Sequence, residues 1–137
     1  FYSRKALVTR EAIRFSRTFQ NAMLRLWRAF CATEGHTFMD ETAYKLFFRQ
    51  VQTELGSHVG ETGGTEEAED DALLRDWERD SRGDGVLDYQ EFTVGVFQLA
   101  DFWTPVISEH AYAAFVNALT DKLTRVNSRG VLVLRFR

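Results

Sequence analysis

From Phe15 the apolar residues Phe15, Phe19, Ala22, Met23, Leu26, Trp27 and Phe30 recur at steps of three and four. Such a period puts them on one face of a helix, whereas a strand, with its period of two, would split them between both faces. The same spacing returns in Tyr44, Phe47, Phe48, Val51 and Leu55, and again in Leu73, Leu74 and Trp77. Further on it recurs in Phe92, Val96, Phe97 and Leu99, and in Tyr112, Phe115, Val116, Leu119 and Leu123. A single proline among 137 residues leaves these stretches uninterrupted, so the expected fold class is all-α with minor β structure.

Local punctuation agrees with this reading. Gly35 and Gly56 should close the first two helices, Asp40, Thr65 and Ser108 can serve as N-caps, and Pro105 marks the end of a helix that starts near Tyr89. The stretch GSHVGETGGT over 56–65 has four glycines and no period, and reads as a flexible linker. After Gly130 the residues Val131 to Arg137 form a short strand-like tail. It either lies on the domain's own surface, pairs with the short Phe1 to Val8 segment, or docks on a neighbouring protein as an unpaired strand. The chain opens on Phe1 and is expected to be part of something longer.

At this length, with 45% hydrophobic residues, one core is expected. Charge is uneven. Residues 61–91 carry three basic and twelve acidic side chains, while the flanking segments are mildly basic. An acidic middle disfavours a polyphosphate partner and suits a cation, so no nucleic acid is expected. Cys31 is the only cysteine, which excludes an intramolecular disulfide and a cysteine-based zinc cluster, and points to an intracellular, cytoplasmic setting. No apolar run approaches the roughly 20 residues that span a bilayer.

The segment Asp80-Ser-Arg-Gly-Asp-Gly-Val-Leu-Asp-Tyr-Gln-Glu91 resembles the twelve-residue calcium loop of an EF-hand. The resemblance implies oxygen ligands from Asp80, Asp84, the carbonyl of Val86, Asp88 through water, and Glu91 as bidentate closer. Gly85 falls where the loop must turn around the ion, and Leu87 at the eighth place, where an apolar residue faces the core. One position departs. Arg82 stands third, and a guanidinium has donors only, so a ligand is lost and a positive charge is brought near. Binding weaker than that of a full loop is expected, with a dissociation constant on the order of 10⁻⁵ M or higher, and magnesium as a competitor.

EF-hands usually pair, and a partner loop is found by setting Phe38 at the eighth place. It then runs from Cys31 to Thr42, with Cys31, Thr33, Gly35, Thr37, Met39 and Thr42 at ligand positions and no carboxylate among them. Residues 15–101 thus look like a paired EF-hand unit of the calmodulin-like superfamily. The expected organisation over 1–137 is a degenerate hand at 9–55, a linker at 56–65, a calcium-binding hand at 66–101, an accessory helix at 108–125 and a tail at 127–137, with a Phe38 to Leu87 bridge joining the loops. The run Phe97-Gln-Leu-Ala-Asp-Phe-Trp-Thr-Pro, with the helix bearing Tyr112 and Phe115, is similar to segments that follow EF-hands in flagellar and other cytoskeletal calcium-binding proteins.

Other chemistry finds little support. His36, His58 and His110 lack zinc-site spacing, and Cys31 at the end of an apolar helix reads as a small buried residue. With no catalytic constellation, an enzyme is not expected. The basic stripe Arg14, Arg17, Arg25 and Arg28 reads as a solvated face or as a docking surface for an acidic partner such as tubulin. Two functions follow from the resemblance: a calcium-responsive module that binds a partner helix or cytoskeletal component, or a constitutive assembly protein of a cytoskeletal or flagellar complex.

Overall fold

The computed structural model describes residues 4–56, 66–83 and 85–136, with the side chains of 5–7 and 66–71 excepted. Six helices and one two-stranded sheet follow in order: α1 (Arg4–Arg14), α2 (Arg17–Glu34), α3 (Glu41–Glu54), α4 (Glu66–Ser81), α5 (Tyr89–Trp103), α6 (Glu109–Leu123), β1 (Thr124–Val126) and β2 (Leu132–Leu134). The all-α expectation therefore holds, with a small hairpin added. Most of the linker and its Thr65 cap lie outside the described residues, as does Asp84.

Four of the helices begin on a side-chain cap, and two end for a readable local reason. Ser16, Asp40, Asp88 and Ser108 have extended backbones, and their side chains accept from the amides of Phe19, Ala43, Glu91 and Ala111, satisfying donors that a first turn leaves free. Gly35 ends α2 in the left-handed region with φ 81°, a conformation that costs glycine little. Helix α5 gives way at Thr104, just before Pro105.

The core is built from the faces that the period marks out. Phe19, Met23, Leu26 and Phe30 of α2, Phe47 of α3, Phe92 of α5, and Tyr112, Leu119 and Leu123 of α6 are all almost fully buried. Helix α6 packs chiefly along α2 and also meets α3 and α5. The apolar face that α2 turns away from its loop partner is thus covered by the chain's own α6. Burial of such side chains contributes roughly 1.5–3 kcal/mol each relative to exposure.

Two expectations need correction, and a third, that the strand-like tail lies on the domain's own surface, holds. Phe15 does not begin the buried stripe: it falls in the break between α1 and α2 and is 65% exposed. The segment expected to be strand-like at the N-terminus is helical from Arg4, and it is joined to α5 by an ion pair between Arg10 and Asp101. The tail is one arm of an antiparallel hairpin, Leu132–Leu134 pairing with Thr124–Val126, turned by Asn127, whose Oδ1 accepts from the amides of Arg129 and Val131. It folds back on α2: Leu134 is buried, and its amide donates to Thr33 Oγ1 at 2.8 Å. Arg135 pairs with Glu54 of α3.

Candidate metal loop and its partner

The loops α2–α3 and α4–α5 are joined by one antiparallel bridge. Met39 N donates to Leu87 O at 2.9 Å, and Leu87 N donates to Met39 O at 2.8 Å. Both side chains are buried, at 0% and 1% exposure, whereas Phe38 is exposed. The bridge partner of Leu87 is thus Met39 and not Phe38. With Leu87 and Met39 both set at the eighth place of twelve, the first loop runs from Ala32 to Ala43, one residue later than the sequence suggested. Its ligand positions become Ala32, Glu34, His36, Phe38, Asp40 and Ala43.

This register also explains the caps. Asp40 and Asp88 both stand ninth, and each accepts from the amide three residues on at 2.8 Å. Glu91 returns the bond in the second loop, its Oε1 accepting from Asp88 N at 3.0 Å, which completes a reciprocal capping box. Ala43 has no side chain to do so.

In the first loop the side chains pack on one another at the surface. The ring of His36 stacks on Phe38 with centroids 4.3 Å apart, and its Nδ1–H donates to the Phe38 carbonyl at 2.8 Å. An edge contact to Phe30 ties the imidazole to α2. Cys31 is partly buried, and desolvation pushes its thiol above the ordinary value, which disfavours the thiolate a nucleophile requires.

The second loop is shaped by successive residues in the left-handed region, Arg82 at φ 56°, Gly83 at φ 77° and Gly85 at φ 80°. Arg82 is the sole non-glycine residue of that kind among the described residues. Asp80 and Glu91 line one hollow of about 130 Å³ together with Arg79, Arg82, Val94 and Gln98. Asp88 and Glu91 line a neighbouring one of about 330 Å³, again with Arg82, beside Arg14 and Phe15. Arg82 therefore borders both hollows that hold the acids. Val86 is exposed, and Asp84 lies outside the described residues. Among the described residues no three His, Cys, Asp or Glu side chains gather into a metal-binding cluster.

Asp80 is the most constrained of the acids. Its side chain is 8% exposed, Tyr44 Oη donates to Oδ2 at 2.8 Å, and Arg79 Nε donates to Oδ1 at 3.0 Å. Burial and the charge of Asp80 raise the Tyr44 phenol far above its ordinary value, so it stays protonated and a donor through the physiological range. The hydrogen bond to Asp80, outweighing desolvation, raises Arg79, while burial raises Asp76 against the opposing pull of Arg79. No charge pattern in the sequence announced Tyr44 as a partner of Asp80. A tyrosine at helical spacing on α3 reads as core, and only the packing of α3 on α4 brings it to the carboxylate.

The donor set suits a hard cation in its chemistry, since Asp80, Asp88 and Glu91 offer carboxylate oxygens, which calcium prefers. A second surface lies nearby. Tyr44, Phe48, Val51, Leu73, Leu99 and Trp103 line a largely apolar groove of about 230 Å³ between α3, α4 and α5, and Phe102 beside it is 79% exposed. Among the described residues no helix is long and apolar enough to cross a membrane. No protein-family model, curated protein or solved structure matches this chain.

Proposed function

We propose that this chain is a calcium-modulated protein-interaction module of the EF-hand type, with the ion taken by the loop from Asp80 to Glu91 and the first loop serving as its structural partner. The observation that carries the reading is the reciprocal Met39 to Leu87 bridge between two inter-helix loops, which sets the eighth positions against each other. Asp80, Asp88 and Glu91 then fall at oxygen-ligand positions of one loop, with Gly85 at the turn. Calcium would be held by Asp80, Asp84, the Val86 carbonyl, Asp88 and Glu91, and magnesium would compete for the same oxygens. The partner, a helix or a cytoskeletal component, would meet the apolar groove edged by Trp103 and Phe102.

A specific observation favours a second reading. Asp80 already has donors on both oxygens, so the loop holds its shape without an ion and can serve as a constitutive scaffold in a cytoskeletal or flagellar assembly. The two readings part on one experiment: near-ultraviolet circular dichroism of the three tryptophans, with and without calcium, at physiological magnesium. A calcium-dependent change in the aromatic bands supports modulation, because Trp77 packs on Tyr44 with centroids 5.2 Å apart and Trp103 edges the groove. Saturable binding with no spectral change supports the scaffold, and no binding rejects the metal assignment.

A further inference from the structure

The side chain of Asp80 sits in a niche beneath α5. A Cβ at Gly95 would lie 3.5 Å from Asp80 Oδ2 and 3.9 Å from Phe48 Cζ, ordinary contact distances, so the carboxylate and an adjacent ring lie directly against the backbone of α5 at Gly95. The Tyr44 hydroxyl reaches this niche from α3, across the helix interface, and Arg79 covers the other oxygen. Resting on the calcium reading above, we propose that Tyr44 is a latch: its hydroxyl holds Asp80 in the niche and competes with the cation for that carboxylate.

The competition follows from burial and from where the carboxylate is held, since two donors occupy only about half of its lone-pair sites. Hydrogen bonds to an ionised acceptor are stronger than neutral ones, and at 8% exposure the carboxylate has little water to fall back on. Asp80 already borders the hollow it shares with Glu91, and turning its carboxylate fully onto an ion there draws it away from the Tyr44 hydroxyl and the space beneath Gly95. Whatever stability these bonds give the metal-free form is subtracted from the free energy of binding. Arg79 is the lesser restraint, since it is 59% exposed and divides its charge between Asp80 and Asp76.

The latch also links the loop to the groove. Tyr44 packs on Phe48 with centroids 4.6 Å apart and on Trp77 at 5.2 Å, and both Tyr44 and Phe48 line the apolar groove. Tyr44 itself is 2% exposed, so release of its hydroxyl by calcium would reach the groove through the rings packed on it, Phe48 and Trp77.

The test measures calcium affinity, by competition with a chelating indicator, in wild type, Tyr44→Phe and Arg79→Gln. Tyr44→Phe keeps the ring and its packing. It should bind calcium about tenfold more tightly, as expected for loss of a hydrogen bond to a charged group, and its metal-free form should melt at a lower temperature. Arg79→Gln, at a 59% exposed side chain whose surface pairs are expected to contribute little to stability, should tighten binding about threefold and covers the case in which Tyr44→Phe does not fold. Unchanged affinity in the folded variants overturns the latch and leaves the calcium reading standing. Weaker binding in Tyr44→Phe also overturns it, because the hydroxyl would then be orienting Asp80 toward the ion. Absence of binding in all three proteins removes the calcium reading and the latch together.

Discussion

In the α2–α3 loop an imidazole stacks on a phenylalanine, while at the matching places in the α4–α5 loop the chain carries Asp84 and Val86. The backbones nevertheless share three features, although Arg82 and Gly85 are left-handed and their counterparts Glu34 and Thr37 are not. Each loop enters through a left-handed residue, contributes one half of the Met39 to Leu87 bridge, and starts its second helix on an aspartate cap. What the loops share is what holds four helices in place, namely a bridge, a cap and a buried residue at the eighth position. What they do not share, chiefly Asp80 against Ala32 and Glu91 against Ala43, is what a cation needs. The comparison separates scaffold from chemistry inside one chain.

It can be broken most forcibly at the shared positions. Met39→Ala and Leu87→Ala each remove a fully buried side chain, and each should cost about 2–5 kcal/mol in urea unfolding. If one were near neutral and the other severe, the bridge would not be a symmetric part of the fold. Next comes the unshared closer. Glu91→Gln retains an acceptor for Asp88 N, so the protein should fold normally while calcium affinity falls by on the order of 100-fold. Normal affinity in that variant would sink the loop assignment.

A smaller effect is expected at Arg82. Its left-handed backbone, φ 56°, is one that aspartate tolerates better than most residues. Arg82→Asp should therefore fold as well as wild type and bind calcium about tenfold more tightly, by adding a ligand and removing a cation. Equal affinity would mean that position three faces away from the ion. The caps give the smallest change. Asp40→Ala and Asp88→Ala should each lose roughly 0.5–2 kcal/mol of stability, yet only the second should alter calcium binding.

The sequence disclosed the helices because their apolar period is strong and their caps are local, as with Asp40, Ser108 and the glycine at 35. It missed α1, whose described burial is confined to Ile13 and whose tie to the fold is a polar one, between Arg10 and Asp101, that has no signature in either segment alone. The hairpin has a local signal in Asn127 and Gly130, whose turn bonds close it, but an asparagine and a glycine three apart are too common to single out a turn without the strand that pairs across it. From size alone Phe38, the larger apolar neighbour, is the expected eighth residue of the first loop, one place before the Met39 that pairs with Leu87. The histidine beside it draws that ring outward, and Met39 takes the buried place.

The acids of the second loop were legible as a spacing, and their surroundings were not. Nothing in the spacing of α3 reveals that Tyr44 would bond Asp80, or that Glu91 would cap its own helix through Asp88. Those contacts depend on helix packing and on a rotamer choice, which linear pattern does not encode. Arg25 offers a similar lesson: one member of the basic stripe is engaged by Asp121 and Asn117 of α6, and so is only partly available to an outside partner.

The most direct test of the account is calorimetric titration of the calcium-stripped protein with calcium, run beside Glu91→Gln under the same conditions. The account predicts one ion per chain, with a dissociation constant on the order of 10⁻⁵ M or weaker, and loss of that isotherm in the variant. Two ions per chain, or a single ion that survives Glu91→Gln, would contradict the division of labour between the two loops.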